Sequence, residues 1–264
     1  FNIADIENLH TKWALPSNKR KIVMIGAGGI VRDAHLPAYR SGGFTVHGIY
    51  DPIFEKASGC ADDFSIKTVY KDIDEALKEK GMVFDVAVPP SELLNVVKKL
   101  PKNSVCQLQK PMGSNLLEAR QIVEIIESNN ITACVNLQLK FSPMMLALSD
   151  AIKKQMIGDI TELEVNLTVA TPWHLWPFME NLDHIEVPLH SIHYLDWIIS
   201  LLGEPKGVFC KAVKHPRFPS MNDSRSSIIL DYENIRCCLS LNHTHNNYLH
   251  GMKHSHAYAR VEGL

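Results

Sequence analysis

No stretch of this 264-residue chain is apolar for long enough to cross a bilayer, and its start, FNIADIENLH, has neither the basic nor the apolar segment of a secretory leader. No run of Pro, Gly or Ser marks disorder. Charge of one sign is scarce as well: 27 Lys and Arg stand against 29 Asp and Glu, a formal net charge of -2. Without a basic field the chain is not expected to hold a nucleic-acid backbone or an anionic membrane. The basic cluster Asn18-Lys19-Arg20-Lys21 reads as a solvated approach to the first strand. The six cysteines, at 60, 106, 134, 210, 237 and 238, form no C-x-x-C pair, so reduced thiols and a cytoplasmic setting are expected.

What is present is a folded composition, 45% hydrophobic and 21% charged, in a length that suits two domains. KIVMI at 21–25 reads as a buried parallel strand running into Gly26, with a helix from about Ile30 to Arg40 behind it. FTVHGIYD at 44–51 supplies a second strand that ends in an acid, and a short helix is expected over 53–60. The alternation continues: helix 71–80, strand 83–88 stopped by Pro89-Pro90, helix 92–100, strand 105–109, helix 114–128, and a strand from 131. A doubly wound parallel Rossmann sheet over residues 1–139 follows.

From 140 to 264 the rhythm changes. A helix near 144–155, an alternating strand at 159–170, a helix over 189–202 closed by Gly203, and the runs VFCKAVK, SSIILDY and IRCCLSLNH imply a C-terminal α/β domain with an open, mainly antiparallel sheet. The fold class is therefore α/β in two parts.

Gly26, Gly28, Gly29 and Ile30 lie between the first strand and its helix, where small residues let backbone approach a pyrophosphate at the helix N-terminus. Asp51, ending the second strand, stands where a carboxylate receives ribose hydroxyls. Its charge would repel a 2'-phosphate, so NAD is expected rather than NADP. Val31 occupies the third small position and is larger than the glycine or alanine that close helix packing prefers.

Leu108-Gln109-Lys110-Pro111 resembles the Glu-Lys-Pro signature of the Gfo/Idh/MocA oxidoreductases, the glucose-fructose oxidoreductase and inositol dehydrogenase family. The resemblance extends through Pro89-Pro90, Phe141-Ser142-Pro143, Gly158-Asp159-Ile160 and His190-Ser191-Ile192-His193-Tyr194-Leu195-Asp196. It implies that Lys110 lies beside the nicotinamide and helps bind or polarise the reacting hydroxyl or carbonyl, with Pro89 among the cofactor-binding residues. A lysine beside a cationic ring can have its pKa lowered and serve as a base. His193 matches the family's second-half histidine and Asp196 its final aspartate, so His193 is the second catalytic candidate.

The chain departs from the family pattern twice. Gln109 replaces the signature glutamate, and Leu189 replaces the acid four residues before His193, which leaves His190 or Glu186 as substitutes. His190 joins Lys110, His193 and Trp173 as a candidate substrate contact. The Trp173–Trp176 stretch offers aromatic faces that suit a sugar ring or ordinary packing. Histidines at 243, 245, 250, 254 and 256 crowd the end, but no cysteine or carboxylate falls at a ligand spacing, so no metal is expected.

The resemblance implies NAD(H)-dependent oxidation or reduction of a sugar, polyol or derivative at the junction of the two parts. It also implies a homo-dimer or homo-tetramer built on the open sheet, and further strands beyond Leu264. Two other readings remain open: a dinucleotide-binding sensor that has lost chemistry, suggested by Gln109 and Leu189, and an NAD-assisted lyase or glycosidase on the same fold.

Overall fold

The computed structural model describes residues 3–245 and 256–264. Among them, six short strands build a wholly parallel sheet: β1 (Ile22–Ile25), β2 (Val46–Tyr50), β3 (Thr68–Tyr70), β4 (Val83–Val86), β5 (Val105–Leu108) and β6 (Thr132–Val135). Their order in space is β3-β2-β1-β4-β5-β6, the doubly wound arrangement whose direction reverses beside β1. The sheet is covered on both faces, so β1 is buried at every position and needs no polar alternation. One face packs Val23, Ile25, Phe84 and Leu108, and the other packs Met24, Ile49 and Val31.

Eight helices are described: α1 (Ile3–Glu7), α2 (Leu36–Ser41), α3 (Phe54–Phe64), α4 (Ile73–Ala76), α5 (Pro90–Val97), α6 (Leu116–Ser128), α7 (Pro143–Lys153) and α8 (Ile192–Leu202). Their ends follow local chemistry. Asn115 caps α6 by accepting the Glu118 N–H at 3.0 Å, while Glu118 reaches back to the Ser114 N–H at 2.7 Å. The helix expected over 71–80 contracts to α4. Beyond Leu77 the backbone bonds reach only three residues back, Lys78 to Glu75 and Glu79 to Ala76, and Gly81 turns the chain at φ +72°. The helix expected from Ile30 begins instead with a turn of π-helix, Val31–His35.

The second sheet runs β11-β7-β10-β9-β8, from β7 (Ile160–Thr168), β8 (Gly207–Lys214), β9 (Asp223–Asp231), β10 (Arg236–Asn242) and β11 (His256–Gly263). All its pairings are antiparallel except β7 with β10. Strands β3 and β11 were not expected from the sequence. The inward positions Leu163, Val165, Leu167, Ile228, Leu230, Leu239 and Leu241 pack on Met145, Trp197 and Ile198. The opposite face is ionic at one end, where Arg260 pairs with Glu162, Glu164 and Glu262. At its other end Phe209 lies opposite Ile229, the two exposed by 62% and 54%.

The chain divides into two compact units, residues 14–136 and residues 1–13 with 137–264. The sequence divides at 139, whereas the first compact unit runs over 14–136 and residues 1–13 group with the second. His10 N–H donates to Asp150 at 2.8 Å, Lys154 donates to the Asn8 carbonyl at 3.0 Å, and the Trp13 ring meets Phe141 edge-on. Among the described residues no helix is long and apolar enough to cross a membrane.

Candidate functional site

The first unit holds its conspicuous turn where β1 gives way to the π-turn. Gly26 adopts φ +111°, and a Cβ there would stand 2.3 Å from the Ala87 carbonyl oxygen, so only glycine fits. Gly28, Gly29 and Ile30 are exposed, and a Cβ on Gly28 would meet nothing within 4 Å. The open space lies at the position where a pyrophosphate would approach backbone N–H groups. Val31 is fully buried beside Met24, Leu36 and Ile49, with the wider π-turn beginning at the valine itself.

Asp51 closes the turn from the neighbouring strand. Its Oδ2 accepts the Ala27 N–H at 2.8 Å and its Oδ1 accepts the Ile53 N–H at 2.9 Å. Each oxygen keeps a further lone pair for a hydroxyl donor. Gly26, Gly28, Gly29, Ile30 and Asp51 thus lie together at the carboxyl ends of β1 and β2, a constellation that fits a dinucleotide. Pro89, exposed, follows β4 on the same sheet edge and leads into α5.

Lys110 follows β5 and precedes Pro111 through a cis peptide bond. It is partly buried, and burial lowers its pKa from 10.5 to about 8. The Gln109 side-chain oxygen accepts the Lys110 backbone N–H at 2.9 Å. Beneath this pair lies a polar network that the sequence did not reveal. Buried Asp85, in β4, accepts from Tyr39 at 2.7 Å and contacts Nδ1 of His35 at 2.7 Å, while Nε2 of His35 lies 3.3 Å from the amide nitrogens of both Gln109 and Asn136. Burial and the Asp85 charge push the Tyr39 hydroxyl well above the usual phenol range. The available signal was an aspartate inside the otherwise apolar strand VFDVAV.

In the second unit His193 is buried in the first turn of α8. Asp196, three residues on, pairs with Lys140 at 2.8 Å. Leu189 is 2% exposed within an apolar cluster of Met179, Leu182, Ile185 and Met221. The position that the resemblance gives to an acid is therefore hydrocarbon. Trp173 belongs to the same cluster and is likewise buried, its ring edge turned to His190 with centroids 6.4 Å apart. Its indole packs within that cluster, one of the two uses that the sequence offered for this aromatic stretch.

The acid nearest in sequence, Glu186, is fully buried and accepts from the Ser191 hydroxyl at 2.9 and 2.8 Å. Burial raises its pKa to about 7. The rings of His190 and His243 stack beside it at 3.6 Å. Linear spacing argued against any metal set, yet the fold brings Glu186, His190 and His243 together with ligand atoms within 4.8 Å of one another. His256 lies in β11, whereas His250 and His254 lie outside the described residues.

Residues 20–137 match the model of an oxidoreductase family with an NAD-binding Rossmann fold. A yeast relative, the uncharacterised protein YMR315W of Saccharomyces cerevisiae, is 29% identical over 198 residues, covering 69% of this chain and 55% of its own length. The chain thus spans little more than half of that relative. Among solved structures, an oxidoreductase from Agrobacterium radiobacter in complex with NAD+, L-tartaric acid and magnesium superposes with a TM-score of 0.80 at 17% identity, over 93% of this chain and 72% of that one. The WlbA dehydrogenase from Chromobacterium violaceum, in complex with NADH and UDP-GlcNAcA, gives 0.74 at 12% identity over 95% and 73%. At these identities the likeness is one of fold.

Proposed function

We propose that this chain, whose residues 20–137 belong to the Gfo/Idh/MocA oxidoreductases, binds NAD(H) and moves a hydride between it and a hydroxyl-bearing carbon of a sugar, polyol or related derivative. The observation that carries the reading is Lys110, held past the end of β5 with its pKa drawn down to about 8 by burial. A group that titrates near neutral pH exchanges a proton readily in either direction. Bound nicotinamide would supply the hydride acceptor or donor. Lys110 takes the hydroxyl proton in oxidation and returns it in reduction, and His193 is the second catalytic candidate, carried by the other unit.

Gly26, Gly28, Gly29 and Ile30 receive the pyrophosphate, with Pro89 bordering the cofactor. Asp51, its carboxylate oriented by two backbone hydrogen bonds, receives the ribose hydroxyls and discriminates against the 2'-phosphate of NADP. His190 and Trp173 are the remaining candidate substrate contacts of the second unit, with the Trp173 ring packed in its apolar cluster.

The test is turnover of NAD+ and NADH against a panel of sugars, polyols and their oxidised forms, followed by nicotinamide absorbance. Lys110→Ala and His193→Ala are each expected to lower kcat at least about 100-fold, the usual worth of a positioned acid or base. Tight NAD binding without turnover on any member of the panel would instead support a second reading, a dinucleotide-binding sensor. Leu189 favours that alternative, because it fills with hydrocarbon the place where the resemblance puts an acid.

Self-association belongs to the same proposal. Phe209 and Ile229 expose apolar surface on the outer face of the second sheet, where a second copy would cover it. Light scattering should give a dimer or tetramer that Phe209→Asp dissociates, and a monomeric wild-type chain would remove this part of the reading.

A further inference from the structure

We infer that Glu186, His190 and His243 form a binding site for a divalent transition metal of the zinc class. The three come from different places: Glu186 directly before a second turn of π-helix (Val187–Ser191), His190 within that turn, and His243 directly after β10. One carboxylate and two imidazoles are the donor set of three-ligand zinc centres, which leave a fourth position for water or an oxygen ligand.

The geometry is near what an ion needs. His243 Nε2 stands 3.8 Å from Glu186 Oε1, and ligand atoms from all three residues lie within 4.8 Å. A tetrahedral ion with bonds of about 2.1 Å sets its donors about 3.4 Å apart, so the side chains must draw in by little more than about 1 Å. Small χ rotations supply that much.

The surroundings orient the donors. Thr171 Oγ1 lies 3.3 Å from His243 Nδ1, and a proton held there leaves Nε2, the nitrogen on the Glu186 side, with its lone pair. The Ser191 hydroxyl bonds both Glu186 oxygens, and Ser226 Oγ sits 3.4 Å behind Ser191. Hydroxyl groups that hold ligating side chains in this way recur around metal centres. Glu186 and His243 are almost wholly shielded from water. A carboxylate so buried must be neutralised by a proton, a cationic partner or a metal. A cation bonded to the carboxylate and both imidazoles meets the demand at once.

The experiment uses the full-length chain, stripped with a chelator and titrated with Co2+ and then Zn2+. One Co2+ per chain with the intense visible d–d bands of low-coordinate cobalt, bleached by Zn2+, is expected. Glu186→Gln and His190→Asn should each weaken Zn2+ binding at least tenfold by calorimetry, with the fold checked by circular dichroism. If buried Glu186→Gln fails to fold, the less buried His190→Asn carries the comparison. Failure of the wild-type chain to show the cobalt bands overturns the site, and so does Zn2+ binding that His190→Asn leaves intact. Neither readout depends on NAD or on turnover.

Discussion

The side-chain amide of Gln109 lies 3.3 Å from Nε2 of His35, and this contact decides which way the amide points. Nδ1 of His35 faces the Asp85 carboxylate, an acceptor only, so Nδ1 carries a proton. In the neutral ring Nε2 is then the acceptor, and the amide nitrogens of both Gln109 and Asn136 face it. The Gln109 oxygen is left for the backbone N–H of Lys110, which it accepts at 2.9 Å. A buried aspartate in β4, the strand between β1 and β5, thereby fixes the backbone of the candidate base through one histidine and one amide.

Gln109→Glu removes one of the two amide donors facing Nε2 of His35 and adds negative charge beside Lys110. A nearby carboxylate favours the ammonium form, so the Lys110 titration should move upward from about 8. Competitive acetylation of Lys110 against pH, read by mass spectrometry, follows this without any substrate. An unshifted profile would show that position 109 does not act on the lysine.

Gly26 and Gly28 should separate fold from cofactor. Gly26→Ala drives a Cβ into the Ala87 carbonyl at positive φ and is expected to cost more than about 1 kcal/mol in urea unfolding, with NAD binding lost as well. Gly28→Ala meets no atom within 4 Å, so stability should hold while NAD affinity falls. Equal NAD affinity for Gly28→Ala and wild type would place the pyrophosphate elsewhere.

Asp51→Asn keeps one oxygen for the turn and removes the charge. The ratio of NADP to NAD affinity should rise about tenfold or more, equivalent to roughly 1.4 kcal/mol. Fluorescence titration with both reduced cofactors reads it directly. A ratio that stays put would take cofactor choice away from this residue.

Lys110 also predicts a stability profile. With a pKa of about 8 folded and 10.5 unfolded, the unfolded chain holds more proton between those values, so this residue makes stability rise with pH across that window. Below about 8 the buried charge opposes folding in full. Lys110→Met should therefore be the more stable protein at pH 7 by on the order of 1–3 kcal/mol, with the advantage shrinking as pH approaches 10.5. Parallel unfolding curves at neutral and high pH would contradict the lowered pKa.

The parallel sheet was legible because its strands are short apolar runs between turn residues, and a fully buried strand has to read that way. Asp51 was legible because its place at a strand end has meaning on this fold alone. The outer strand β11 was not, since HAYARVEG alternates around alanine and charge, and its ordering comes from Arg260 and Tyr258 meeting Glu162 and Glu164 some hundred positions earlier. His35 and Asp85 were missed for a similar reason. Neither sits in a motif, and their contact exists only after β4 and the π-turn have been brought side by side. The cluster of Glu186, His190 and His243 was argued away on linear spacing, which cannot register a ligand delivered from the end of a distant strand.

The grouping of residues 1–13 with 137–264 has a consequence for synthesis. The cofactor-type unit is one unbroken segment and can close on itself as it leaves the ribosome. The second unit is split around it, so Asn8, His10 and Trp13 emerge long before Lys154, Asp150 and Phe141, their eventual partners. Translation therefore completes the inner segment first and holds the leading thirteen residues in waiting until the outer unit is made.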